Sequence, residues 1–123
     1  AANAFSRMPP EVADPIEVEW LKRETSPFVK KELYRVLQQQ HFDLQQGASR
    51  ALVAQALSEL PTTKSAYVRK SMIFLVAQSS VAKEPEIRRA LIEQAKRERA
   101  KHTPVVNQFG LILTPEERLE VLR

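Results

Sequence analysis

The chain has 123 residues, of which 43% are apolar and 28% are charged, and it carries a formal net charge of +4. It contains no cysteine, which excludes disulfide scaffolds, thiol nucleophiles and Cys-ligated zinc from this sequence. The length favours one domain, and scarce glycine with abundant helix formers predicts an all-α fold. The longest apolar run, residues 72–77, is too short to span a bilayer.

Residues 1–25 are predicted to form an extended N-terminal arm, because Pro9, Pro10 and Pro15 interrupt any helix. This arm contains Trp20, the only tryptophan of the chain. We expect Trp20 to pack against the protein's own helices or against a partner, since an exposed Trp on a free arm would leave a large apolar surface in contact with water.

Residues 26–103 are predicted to form a small helical bundle. Its first helix begins at Ser26, an N-cap followed by proline, and stops at Gly47. Ser49 caps a short second helix that ends at Leu60, before a proline.

Two further helices complete the predicted bundle. The third, over residues 64–81, is apolar on almost every side between residues 72 and 77, which indicates the centre of the bundle or a surface covered by another protein. The fourth runs from Pro85 to about Lys101, with one face packed and the other charged and solvated. Its acidic start and basic end complement the helix dipole.

Residues 104–123 are predicted to form an extended apolar strap, at 105–113, and a short C-terminal helix. Thr114 is an N-cap, and a proline with the acid Glu117 at the third helical position makes a strong helix start. A free monomer would struggle to bury the arm and the strap, so we expect a partner to order both.

The sequence offers no catalytic motif, and the chain is predicted not to be an enzyme. It has no Gly-rich phosphate loop and no serine at a strand-turn-helix elbow. His41 and His102 lie far apart without a partner at metal-ligand spacing, so we expect no metal site and no cofactor of its own. Paired carboxylates occur only at helix starts, where capping explains them: Glu84 with Glu86, and Glu116 with Glu117.

Charge is uneven along the chain, because residues 11–19 are acidic and residues 83–101 are basic, which indicates contacts at two places. The basic face of the fourth helix is a candidate for contact with RNA phosphates. Pairing of Glu93 with Arg97 explains part of this pattern, and the helix lacks aromatic platforms for stacked bases. The candidate basic patch comprises Arg88, Arg89, Lys96, Arg97, Arg99 and Lys101.

The first helix carries the triplet Leu33-Tyr34-Arg35, preceded by Lys30 and Lys31. In the plain interpretation, Leu33 faces the core, Tyr34 lies at the edge and Arg35 is solvated. The triplet, its place on the first helix of a small basic all-α protein and the absence of cysteine resemble the mitochondrial LYR-motif superfamily, the complex I LYR-like proteins.

This resemblance implies a three-helix protein that serves as an accessory subunit or assembly factor of respiratory complexes, of the ATP synthase or of the iron–sulfur machinery. Many members of the family bind the mitochondrial acyl carrier protein. The acyl chain on the carrier's phosphopantetheine arm enters a groove between the helices, and basic residues meet the carrier's acidic surface. On this chain, the resemblance implies that Leu33 lines or shapes the acyl tunnel, that Tyr34 and Arg35 lie near its mouth, and that Lys30 and Lys31 extend the basic face.

The family also carries an Arg followed closely by a Phe on its second long helix. The nearest candidates here are Tyr67-Val68-Arg69 and Phe74, whose spacing departs from the family's, so Phe74 is taken as a core or tunnel residue. The short helix broken at Pro61 and the long arm are further departures.

The sequence therefore predicts a non-catalytic accessory subunit or assembly factor of a large mitochondrial complex, of the respiratory chain or the ATP synthase. It would lie in the matrix or on the matrix side of the inner membrane, with other protein subunits and acyl carrier protein as partners. The acyl-phosphopantetheine of that carrier would be its only cofactor. The alternative is a peripheral mitochondrial ribosomal protein that contacts RNA through the helix at 86–101. Carrier docking should fail with Arg35→Glu and tolerate charge loss at Arg97 and Arg99. RNA binding should instead tolerate Arg35→Glu and fail on charge loss at Arg97 and Arg99.

Overall fold

The computed structural model describes the backbone of residues 10–43 and 47–123, and the side chains of residues 12–39 and 47–123. Within these residues the protein contains α-helices and short 3₁₀ helices without any strand, which confirms the predicted small all-α bundle. None of the described helices has the length and apolar character that crossing a membrane requires. The α-helices are α1 (Pro10–Arg23), α2 (Pro27–Asp43), α3 (Arg50–Glu59), α4 (Ala66–Ala77), α5 (Pro85–Ala100), α6 (Val106–Ile112) and α7 (Pro115–Leu122), and the 3₁₀ helices are Leu60–Thr62 and Ser80–Lys83.

The predicted extended arm is wrong for residues 10–23, which form α1, whereas residues 1–9 lie outside the described part of the chain. Proline is tolerated in the first turn of a helix, where its missing N–H is not needed, and Pro10 begins α1. Pro15 lies inside the helix on an exposed face, while Val18 and Leu21 are buried in the core. Trp20 is partly buried against this core, so its predicted packing on the protein's own helices is confirmed.

Two acidic side chains of α1 are buried inside the protein rather than presented to a partner. Asp14 and Glu17 are both almost fully buried. Asp14 Oδ2 accepts a hydrogen bond of 2.7 Å from the backbone N–H of Ser49, at the start of α3. A carboxylate at a helix N-terminus is favoured by the helix dipole, so this contact fastens α1 to α3. Two acids of the acidic stretch are thus internal, whereas Glu19 is exposed.

The third predicted helix lies at the centre of the bundle, as α4, between α2 and α3. Its side chains Met72, Ile73, Leu75 and Val76 are buried on more than one side of the helix. The sequence interpretation that placed this helix at the bundle centre is therefore confirmed. Burial on several sides explains why its apolar residues do not form a single stripe.

The predicted extended strap is also wrong, because residues 106–112 form α6. Val105, Phe109 and Leu113 are buried in the core. They follow one another at intervals of four residues, which is helical spacing that the apolar run and Gly110 obscured. Packing of these three side chains stabilises a helix that the local sequence alone does not favour.

The start of α7 confirms the predicted helix cap. Thr114 Oγ1 accepts a hydrogen bond from the backbone N–H of Glu117, and the Glu117 carboxylate accepts one from the backbone N–H of Thr114, forming a capping box. The same carboxylate receives two hydrogen bonds from Arg88 on α5, at 2.5 and 2.9 Å. These contacts join α7 to α5. The Arg88 guanidinium holds the pKa of Glu117 down at about 2, against an ordinary value of 4.5.

This ion pair makes part of the stability dependent on pH. Because the pKa of Glu117 is lower in the folded state, its contribution is fully present above pH 4.5 and is lost as the pH falls towards 2. We expect Glu117→Gln to lower the free energy of unfolding by about 1–2 kcal/mol at pH 7, since partial exposure screens the pair. Urea unfolding of both proteins at pH 7, 4 and 3 should show this difference shrinking with pH. A difference that stays constant across these pH values would contradict the assignment.

Candidate functional site

The three residues of the Leu33-Tyr34-Arg35 triplet have three different environments. Leu33 is buried in the core, as the plain interpretation predicts, and Arg35 is exposed. Tyr34 was expected at the edge of the helix, but it is 0% exposed. The prediction was wrong, because the Tyr34 hydroxyl has a partly buried acceptor on another helix.

That acceptor is Glu59, at the end of α3. The Tyr34 hydroxyl donates a hydrogen bond of 2.5 Å to Glu59 Oε2, and Gln55 Nε2 donates to the same oxygen at 3.0 Å. The ammonium of Lys30 pairs with Glu59 Oε1. Burial of Tyr34, together with its hydrogen bond to Glu59, raises the pKa of its hydroxyl well above the ordinary value, so Tyr34 stays neutral. Nothing local in the sequence indicates this network, since it joins residues 25 and 29 positions apart.

A cleft of about 600 Å³, here called the central cleft, opens between the starts of α2 and α4 beside this network. Its buried lining includes Tyr34, Val68 and Met72. Its exposed lining includes Thr25 and Lys64. The volume lies within the range of sites that hold small organic groups, and the apolar floor suits an apolar one.

The outer face of α2 next to the central cleft carries an apolar side chain and two cations. Phe28 is 73% exposed, and Lys31 and Arg35 follow it at helical spacing, so all three share one face. Lys31 lies over the ring of Tyr67, with Nζ 5.3 Å from its centroid. Arg35 donates to Glu32 within the same helix, at 3.0 and 3.1 Å. Phe28 was missed by the sequence analysis, although an exposed Phe beside cations is typical of a docking face.

Only part of the set that the resemblance implied meets in one place. Lys30 and Tyr34 line the central cleft, whereas Leu33 supports it from the core and Arg35 lies outside it. Phe74 is half-buried on α4 and lines neither this cleft nor the smaller one described below. Trp20 packs on the core away from both linings.

The basic patch on α5 is divided between paired and unpaired side chains. Arg88 binds Glu117, and Arg89 binds Glu120 at 2.7 Å, so both cations are used in holding α7. The expected pair of Glu93 with Arg97 is wrong, because Glu93 lies near two other cations of α5. The remaining contacts on this helix are Glu93 with Arg89 at 3.9 Å, Glu93 with Lys96 at 3.6 Å, and Arg97 Nη1 with Gln94 Oε1 at 3.1 Å. Within the described part of the chain, Arg99 and Lys101 are exposed and form no ion pair.

A buried ion pair joins α4 to α5. Arg69 Nε and Nη2 donate to the two carboxylate oxygens of Glu98, at 2.7 and 3.0 Å, and the two side chains are only 11% and 2% exposed. Thr103 and Gln94 also donate to Glu98. Burial disfavours the charged carboxylate, but the hydrogen bonds from Arg69, Thr103 and Gln94 outweigh it and lower the pKa of Glu98. The sequence analysis did not predict this pair.

The predicted capping pairs are only partly right. Glu117 caps α7, whereas the side chain of Glu84 makes no capping hydrogen bond at α5. Glu84 instead accepts two hydrogen bonds from Arg50 on α3, at 2.5 and 2.6 Å. His102 follows α5 as predicted, and it adopts a left-handed backbone conformation with φ of 54°. The side chain of His41 lies outside the described residues.

Among the described residues, no group of three or more His, Cys, Asp or Glu side chains could hold a metal ion. No family model, curated protein or solved structure matches this chain. Its function is therefore inferred from the geometry of the central cleft, the α2 face and the basic side chains.

Proposed function

We propose that this protein is a non-catalytic docking subunit whose central cleft receives an apolar group presented by an acidic partner protein. The partner that the triplet implies is an acylated acyl carrier protein, and the proposed setting is a large mitochondrial assembly, in which the chain is an accessory subunit or assembly factor. The observation that carries the proposal is the central cleft itself, with the tyrosine of the triplet in its floor.

The chemistry of the cleft supports binding rather than catalysis. Tyr34 remains protonated and donates to Glu59, and Glu59 is itself bound by Lys30, so these three titratable groups of the cleft satisfy one another. General acid–base catalysis needs a group whose pKa lies near the working pH. The buried side chains Val68 and Met72 in the lining are apolar and carry no group that could transfer a proton, and burying the apolar surface of an acyl chain is favourable by about 25 cal/mol per Å².

The α2 face supports docking of an acidic protein beside the cleft. Phe28 provides an exposed aromatic anchor, and Lys31 and Arg35 provide positive charge at its side. Aromatic side chains and arginine are enriched at the centres of protein interfaces. Charge complementarity would steer an acidic partner to this face and align its acyl group with the cleft.

The test compares acylated and unacylated acyl carrier protein as ligands of the purified chain, by calorimetry. We expect the acylated form to bind at least tenfold more tightly, because only its acyl chain buries the apolar floor. Thr25→Trp should abolish that preference by filling the mouth of the cleft. Ala54→Trp, on an exposed position of α3 outside both cleft linings, is the matched control and should leave it unchanged.

Reversing the charge of Arg35 tests the docking face separately from the cleft. Arg35→Glu should weaken the binding of acylated and unacylated carrier by a similar factor, since Arg35 lies outside the cleft lining. Equal affinity for acylated and unacylated carrier, or no binding of either, would rule out the proposal.

The RNA-binding alternative has less support from the geometry. Arg88 and Arg89 are engaged by α7, and Lys96 lies beside Glu93, which leaves three of the six basic patch residues outside any ion pair among the described residues. Fewer available cations mean fewer phosphates neutralised and weaker binding. Steep salt dependence of binding to single-stranded RNA, with loss on Arg99→Gln, would favour this alternative instead.

A further inference from the structure

A second, smaller cleft of about 380 Å³, here called the basic cleft, lies on the other side of residues 62–64 from the central cleft. Four basic side chains line it: Lys64, Arg69, Arg97 and Lys101. They come from the connection before α4, from α4 itself and from the end of α5, so only the tertiary structure brings them together.

The single carboxylate in this lining is already satisfied. Glu98 Oε1 accepts from Arg69 and Thr103, and its Oε2 accepts from Arg69 and Gln94. Arg69 neutralises this carboxylate, and the hydrogen bonds from Thr103 and Gln94 occupy its remaining acceptor sites. With four basic side chains against one carboxylate, the basic cleft keeps a net positive charge.

The hydrogen-bond donors that remain available belong to Lys64, Arg97 and Lys101, since Arg69 donates to Glu98 and to the carbonyls of Thr63 and Lys64. The hydroxyls of Thr62 and Thr63 both donate to the backbone carbonyl of Glu59, and that of Thr103 donates to Glu98. Lys64 and Lys101 form no ion pair within the described residues, and Arg97 donates one hydrogen bond to Gln94. A ligand of this cleft would therefore be recognised by charge-assisted hydrogen bonds, the strong class of such bonds.

We propose that the basic cleft binds a small phosphorylated anion, independently of the central cleft. Several converging cations favour a multiply charged anion such as a phosphomonoester or pyrophosphate over a single carboxylate. The size of the cleft suits a small molecule. A nucleic acid is disfavoured, because α5 offers no aromatic platform and its Arg88 and Arg89 are paired.

The experiment titrates the purified chain with inorganic phosphate, pyrophosphate and glycerol 3-phosphate by calorimetry, in a buffer free of polyvalent anions. We expect saturable binding of pyrophosphate, with Arg97→Gln and Lys101→Gln each weakening it about tenfold. Arg99→Gln is the matched control, since Arg99 is an exposed arginine on the same helix outside the lining, and it should change the affinity less than twofold. Tighter binding of glycerol 3-phosphate than of inorganic phosphate would identify the ligand as an organic phosphomonoester, and the reverse would identify a free inorganic anion.

Three results would overturn the proposal. The first is the absence of saturable binding of any of the three anions at physiological salt. The second is an equal loss of affinity for Arg99→Gln and Arg97→Gln, which would indicate diffuse attraction. The third is tighter binding of a short single-stranded RNA that also depends on Arg99. Thr25→Trp should leave pyrophosphate binding intact, so failure at the central cleft and failure at the basic cleft are distinguishable.

Discussion

Replacement of Arg69 by Met is expected to lower the free energy of unfolding by about 3–5 kcal/mol. The substitution removes the cation that pairs with Glu98 and keeps an unbranched apolar side chain in place of the methylene stem of Arg69. Glu98 is 2% exposed, so its carboxylate would remain buried with only Gln94 and Thr103 as donors. An uncompensated buried charge is among the most destabilising changes a protein can undergo. Urea denaturation followed by circular dichroism measures the loss.

The double variant Arg69→Met/Glu98→Met provides the control. Replacing both members of a buried pair with apolar residues is often close to neutral, so the double variant should recover most of the stability. Glu98→Met alone should cost less than Arg69→Met, because Arg69 can still donate to the carbonyls of Thr63 and Lys64. A cost below 1 kcal/mol for Arg69→Met would show that the pair does not hold α4 against α5.

Gly47→Ala is expected to destabilise the protein by about 1–3 kcal/mol. A Cβ atom at residue 47 would lie 2.8 Å from the carbonyl oxygen of Gln78 and 2.9 Å from the Cα of Ser79. Both are backbone atoms, so neither can move without shifting the segment after α4. That segment is also held by Ser79, whose hydroxyl donates to the carbonyl of Ala48 at 2.7 Å. Thermal unfolding by calorimetry measures the effect.

Gly110→Ala is the matched control for this substitution. A Cβ at Gly110 meets nothing within 4 Å, and the residue lies inside α6. Alanine is favoured over glycine within a helix by about 0.5–1 kcal/mol, so this variant should be slightly more stable than the natural chain. If both alanine variants changed the stability by the same amount, the nearby backbone atoms of Gln78 and Ser79 would not be what restricts residue 47.

Features that depend on neighbouring residues could be predicted from the sequence. Ser49 and Thr114 each accept a hydrogen bond from the third residue of the helix that follows, as their residue types and the next residues indicate. The apolar character of residues 72–77 indicated that α4 is covered on several sides, by the bundle or by another protein, and the structure places it inside the bundle. These properties are local, since a cap or a buried helix is specified within a few consecutive residues.

Two helices could not be predicted, because packing overrides their local signals. Pro15 argues against α1, and Gly110 argues against α6. Both helices form because they bury core residues, Leu21 in the first case and Phe109 in the second. A proline inside a helix costs about 3 kcal/mol and a glycine about 1 kcal/mol, and the burial of several apolar side chains by each helix outweighs that local cost, so the tertiary structure decides.

The residues of both clefts show the same division between what local sequence specifies and what tertiary packing specifies. The sequence alone determined an all-α chain, without cysteine, in which Leu33 faces the core and the end of α5 is basic. Only the tertiary structure decided that Tyr34 is buried against Glu59, and that Lys64 and Lys101 converge on one cleft. These pairs are separated by 25 and 37 positions in the chain. Local patterns specify which residues are helical and apolar, whereas distances between side chains far apart in sequence depend on how the helices pack.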